Sequence, residues 1–199
     1  MCRFIETIRI RKGMVCNLVY HNLRMNRVRR EVFGLTQPLD LADYIDCKLS
    51  DDVVKCRVVY DAEVCEVSYA PYLMRRIDTL KLVYDDEIDY RYKSTDRTSL
   101  NSLYACRGDE DDVLIVRNRL LTDISIANVA LEKDGNWYTP ASPLLKGTQR
   151  AALLNEGIVK EQDILVDDLY SFTRIAVFNA MIEFGSLVLD INPATIRKS

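Results

Sequence analysis

The chain opens on a clear two-residue alternation. Arg3, Ile5, Thr7 and Arg9 fall on one side and Phe4, Glu6, Ile8 and Ile10 on the other, the period of a strand. Lys12-Gly13 supplies a turn, so residues 14–19 are expected to return as the second strand of a hairpin. From residue 20 to residue 33 the spacing becomes helical, with Leu23, Val28 and Val32 apolar and Gly34 as the stop. A short helix is expected over 41–49, and strands over 53–60, 64–69 (closed by Pro71) and 79–84. Residues 85–91 are charged and irregular, which places a domain boundary there and predicts units 1–88 and 89–199. Beyond it a helix is expected over 96–106, then strands over 113–117, 120–123, 126–131 and 137–139. Residues 148–155 read as a helix ended by Gly157, followed by an extended run 158–164, a helical turn 167–171 and a strand 175–178. Strands dominate both halves and no repeat is visible, so the class is α+β and not a regular βαβ array.

Composition narrows the possible functions. The 199 residues carry 27 Lys+Arg against 30 Asp+Glu, a net charge of −3, which lacks the basic excess of a nucleic-acid binder. No apolar run approaches the ~20 residues of a spanning helix, so no membrane partner is expected. Charges at Arg3, Glu6, Arg9 and Arg11 leave no room for a signal-peptide core. The six cysteines form no C-x-x-C pair and there is one histidine, so no metal site is expected. Free thiols among apolar neighbours fit a reduced, cytoplasmic protein.

Four segments carry candidate chemistry. In the first helix, Arg24 has the fork that matches phosphate oxygens, although the run Arg24, Arg27, Arg29, Arg30 also reads as a solvated face. Lys93, at the expected domain junction, is placed either as a nucleophilic amine or as a surface residue before a helix cap. Asp123 lies between apolar neighbours and needs a partner, either a protonated ring nitrogen or an arginine. The loop 139–147 leads through Gly147 into a helix whose first amides form an anion site.

Taken in order, these segments resemble the class IV (fold type IV) pyridoxal-phosphate enzymes, which include branched-chain and D-amino-acid aminotransferases and aminodeoxychorismate lyase. The resemblance runs from Phe4-Ile5-Glu6-Thr7-Ile8-Arg9-Ile10 with Gly13, through His21-x-x-Arg24-Met25, to Trp137-Tyr138-Thr139-Pro140 and Leu145-Lys146-Gly147-Thr148-Gln149-Arg150. It implies a two-domain fold like that of D-amino-acid aminotransferase, shortened at the N-terminus, because the first match lies almost at residue 1. It also implies a pyridoxal 5'-phosphate cofactor and a homodimer. By position, Lys93 resembles the lysine that carries the cofactor and moves the proton, and Arg24 the arginine on the phosphate. The resemblance implies that the amides of Thr148 and Gln149 complete the phosphate cup. Asp123 stands where the family has a glutamate facing the ring nitrogen, and Asn128 matches the asparagine that follows.

Within the family the chain is most similar to aminodeoxychorismate lyase. Thr7 matches a lyase threonine implicated in proton transfer, and Phe178-Asn179-Ala180-Met181 resembles a lyase strand. The R-x-H pair of the D-amino-acid transaminases has no counterpart near residues 60–65. The resemblance therefore implies a small amino substrate, 4-amino-4-deoxychorismate, split into 4-aminobenzoate and pyruvate. Arg27, Arg75 and Arg76 stand as alternatives for its carboxylates. An aminotransferase of branched-chain or D-amino acids, or an inactive cofactor-binding relative, would use the same Lys93, Arg24 and Asp123.

Overall fold

A computed structural model describes residues 2–46 and 53–198 as two compact units, one of Met1–Met74 with Tyr92–Asp96 and one of Arg75–Arg91 with Arg97–Ser199. The chain passes from unit to unit at 74/75, 91/92 and 96/97, whereas a single boundary after residue 88 was expected.

In the first unit, β1 (Phe4–Arg11) and β2 (Met14–Val15) form a hairpin, followed by α1 (Leu18–Phe33), β3 (Val54–Tyr60) and β4 (Val64–Pro71). The antiparallel sheet has the order β2-β1-β3-β4. Lys12 and Gly13 both take positive φ (50° and 74°), as a two-residue hairpin loop requires. The return strand is only two residues long, not the expected 14–19, because Asn17 turns into the left-handed region at φ 55° and starts α1 at Leu18. Pro71, lacking an N–H, is accommodated at the end of the edge strand β4. Of the helix expected over 41–49, a 3-10 turn at Leu41–Asp43 is present and residues 47–49 lie outside the described residues.

The core beneath α1 is built from Phe4, Ile8 and Ile10 of β1, Met25 and Val28 of α1, Leu41, and Cys56, Val58 and Tyr60 of β3. The apolar positions expected to define the buried face of α1 mislead, since Leu23 and Val32 are exposed. The face actually buried carries His21, Arg24, Met25, Val28 and Arg29. Residues 92–96 run beside the start of β1, where Ile5 N donates to Lys93 O (2.9 Å) and Thr95 N to Arg3 O (2.9 Å).

The second unit contains β5 (Leu80–Tyr84), α2 (Thr98–Ala105), β6 (Asp112–Arg117), β7 (Leu120–Ile124), β8 (Asn128–Lys133) and β9 (Asn136–Pro140). Then come α3 (Thr148–Asn155), β10 (Val159–Gln162), β11 (Arg174–Phe178), β12 (Val188–Asp190) and β13 (Ile196–Arg197). The main sheet has the order β10-β9-β8-β7-β6-β5-β13, with β11 pairing both β8 and β12. Strand β6, fully buried from Val113 to Val116, is an interior strand with a neighbour on each side, as a continuous apolar run would predict. β12 and β13 escape sequence reading because two or three residues are too few to show a period. Leu153 of α3 packs on Ala130, Val159 and Phe178, which fixes the helix against the sheet.

Candidate active site

The first unit builds its chemistry on a charged residue set into an apolar stripe. Glu6 shares the core side of β1 with Phe4 and Ile8, and it is completely buried. A carboxylate there is tolerable only if it is paired. Arg24 donates to it from both Nε (2.8 Å) and Nη2 (2.5 Å), a bidentate grip that fixes the guanidinium plane. His21, one helical turn earlier and also fully buried, contacts the same carboxylate through Nδ1 at 2.5 Å. Burial alone would push the Glu6 carboxyl up, but the Arg24 charge and the His21 hydrogen bond outweigh it and hold the group at about 2. Burial pushes His21 down, against the pull of Glu6, with Arg24 and Lys93 lowering it further. His21 is therefore neutral, with its proton on Nδ1, because the ionised Glu6 can only accept.

Arg24 is thus buried and oriented, which corrects the alternative of a solvated basic face. Arg29 is likewise buried and donates to Ala62 O (2.9 Å) and Gln37 O (2.5 Å), while Arg30 is exposed. Lys93 is half-buried beside β1, with its charge within electrostatic reach of His21. Thr7 lies two residues beyond Ile5, the hydrogen-bond partner of Lys93. Arg24, Lys93 and Thr7 are therefore brought together in one unit. Glu6 and His21 were not singled out as site residues. The signal was present, since a glutamate on the face shared by Phe4, Ile8 and Ile10 demands a cationic partner.

The other predicted residues meet in the second unit. Asp123, at the end of β7, is fully buried and accepts from Asn128 Nδ2 at Oδ1 (2.8 Å) and from Leu145 N at Oδ2 (2.9 Å). Among the described residues no arginine hydrogen-bonds to it, although the Arg150 charge is within electrostatic reach. Burial raises its carboxyl to about 6 despite these donors and the Arg150 charge. Asn128 Nδ2 also donates to Leu145 O (2.8 Å), and its Oδ1 occupies the space a side chain on Gly147 would need. Asp123 and Asn128 thereby fasten the loop that delivers α3.

The N-cap of α3 is Gly147, which has no side chain to cap the helix, and Thr148 beside it is buried. Gln149, with its amide turned to suit, donates to Asn179 O (2.9 Å) and accepts from Phe184 N (3.2 Å). Arg150 donates to Pro140 O (2.8 Å) and Glu161 Oε1 (2.7 Å), tying the helix start to β9 and β10.

The donor set suits a pyridine ring bearing a phosphate. The chain offers a buried oriented guanidinium, helix-start amides without a side-chain cap, an amine, and a buried carboxyl that a protonated ring nitrogen would return to its anionic form. Asp123 already accepts from Asn128, Leu145 and Leu144, and burial still keeps its carboxyl raised, so a further cationic donor would be welcome there.

Comparisons with known proteins agree with this composition. The family model described as amino-transferase class IV matches residues 61–187. An uncharacterized protein of Haemophilus influenzae is 36% identical over 185 residues, spanning 91% of this chain and 98% of its own. Among solved structures, a candidate 4-amino-4-deoxychorismate lyase from Haemophilus somnus has a TM-score of 0.86 at 33% identity, covering 92% of this chain and 97% of that one. A hypothetical aminotransferase from Mycobacterium tuberculosis in its PLP-bound form has a TM-score of 0.76 at 16% identity, covering 98% and 81%, and shares the fold. Together with the fold type IV architecture described above, these matches show that the chain belongs to the class IV aminotransferase family.

Proposed function

We propose that the chain is a pyridoxal-phosphate enzyme that converts 4-amino-4-deoxychorismate to 4-aminobenzoate and pyruvate, supplying an aromatic precursor of folate. The reading rests above all on Lys93 being held against Ile5 of β1, two residues along the strand from Thr7, with its charge within reach of His21. The similarity to the Haemophilus somnus lyase candidate supports this reaction over transamination.

Pyridoxal phosphate, when bound, supplies an electron-poor ring that takes up charge as a substrate C–H bond breaks. Arg24 would bind the phosphate of the cofactor, as would the backbone amides of Thr148 and Gln149. Asp123 would accept a hydrogen bond from the ring N–H and so favour its protonated form. Lys93 Nζ would hold the cofactor and would accept the substrate ring proton. The Thr7 hydroxyl passes that proton onward. The five described cysteines (Cys2, Cys16, Cys56, Cys65, Cys106) are all free, which supports a cytoplasmic setting. As in the family, the working form is a homodimer, and light scattering should give twice the 22.9 kDa chain mass.

The purified protein is expected to absorb at about 410–430 nm, and borohydride should convert that band to a stable adduct on Lys93 located by mass spectrometry. Supplied with 4-amino-4-deoxychorismate, it should release 4-aminobenzoate and pyruvate with no amino acceptor present, and Lys93→Ala should abolish both the band and the turnover. A keto acid appearing only when an acceptor is added would make it an aminotransferase. No band even with added cofactor would remove the enzyme reading.

A further inference from the structure

The face of the first sheet turned away from α1 carries a cation whose purpose the cofactor contacts do not explain. Strand register places Arg57 of β3 directly opposite Thr7 of β1, with Ser68 of β4 on its other side. The next pair along puts Arg9 opposite Lys55. The neighbours Cys56 and Val58 point into the core, so Arg57 and Lys55 lie on the opposite face with Thr7. The acid on this face is Glu66, opposite Val59 and diagonal to Arg57. Among the described residues Arg57 makes no hydrogen bond or ion pair with it or with any other group, and the side chain is half-buried. Two of the three arginines considered as carboxylate ligands from sequence are held by acids, and the third, Arg27, has an Nε without a hydrogen-bond partner among the described residues. Arg75 is paired with Asp112 and hydrogen-bonded to Tyr104, Arg76 is paired with Asp78, and Arg27 lies 3.9 Å from Glu31.

We infer that Arg57 is the residue that recognises a carboxylate of the substrate, a specificity role resting on the reading of Thr7 and Lys93 given above. Directly opposed side chains in an antiparallel pair begin about 5 Å apart, which is within the span of an arginine fork and a threonine hydroxyl serving one small molecule. A carboxylate held by Arg57 would set the reacting carbon against Thr7. Arg9 and Lys55 add positive charge at the same face, so the site suits an amino compound with a further carboxylate and disfavours a neutral amine.

Calorimetry on the purified protein tests this with 4-aminobenzoate and its uncharged counterpart 4-aminobenzamide. The wild type is expected to bind the acid about tenfold to hundredfold more tightly, the size of one charge-assisted hydrogen-bonded contact. Arg57→Gln should erase that preference and raise KM more than it lowers kcat, with the 410–430 nm region unchanged. Arg57→Lys should restore part of the preference. A preference that survives Arg57→Gln, or a wild type with none, overturns the proposal. A wild type that lacks the visible band sinks the cofactor reading instead, and the acid-over-amide preference, measured on the same chain, still decides the role of Arg57.

Discussion

Glu6 and Asp123 are both carboxylates shut away from water, and their surroundings push them in opposite directions. In the fold Glu6 sits at about 2, below its ordinary 4.5, so its ionised form is favoured and its contribution is fully present above pH 4.5. That contribution is lost as pH falls through 4.5 toward 2. Glu6→Gln should leave a buried guanidinium without its counter-charge and cost about 3–5 kcal/mol at neutral pH, with the gap to wild type closing below pH 4.5 in urea titrations. Asp123 behaves inversely, because its folded value of about 6 exceeds the ordinary 3.8. The unfolded chain loses that proton first, so stability should fall as pH rises from 3.8 to 6 and then level off. Asp123→Asn should flatten this slope, read as unfolding midpoints of the cofactor-free protein at pH 4, 5, 6 and 7. Arg24, Lys93 and Asp123 were legible as candidates because their types match a chemistry. Glu6 shows in the sequence only the need for a cationic partner, because the residues that meet that need lie 15 and 18 positions away along the chain.

The connection from β7 to α3 shows how a backbone requirement can exclude a side chain. Gly147 has ordinary dihedrals (φ −68°, ψ 150°), so alanine would suffer no torsional penalty there. What forbids it is Asn128 Oδ1, which fills the place of the missing Cβ. Gly147→Ala should therefore displace Asn128, break its bonds to Asp123 and Leu145, and destabilise the protein by about 1–3 kcal/mol. Asn128→Ala in the same background should recover part of the loss by emptying the contested space, as a double-mutant cycle in thermal denaturation would reveal. The bounds of α3 were readable from Gly147 and Gly157 alone, since both flank a run of good helix formers. The start of α1 was not, because Asn17 in the left-handed region gave no sequence signal distinct from a strand residue. Its buried face was misjudged for a related reason. Hydrophobic spacing cannot anticipate a helix that buries His21, Arg24 and Arg29 and exposes Leu23.

At the scale of the molecule, the α+β class followed from short strands and few helices, but connectivity did not, because the charged residues 85–91 look like a linker and yet belong to the second unit. Residues 92–96 belong to the first. A fragment ending at residue 91 lacks the segment that hydrogen-bonds to Arg3 and Ile5, so it should lose the cooperative thermal transition that the whole chain shows in calorimetry. The same interleaving has a consequence during synthesis. Chains emerge N-terminus first, and β1 to β4 are out of the ribosome well before residue 93. The first sheet must wait with one side of β1 uncovered until part of the second unit has been made. The proposed catalytic lysine therefore arrives in the last piece of a unit begun much earlier, and no single cut in the chain separates one unit from the other.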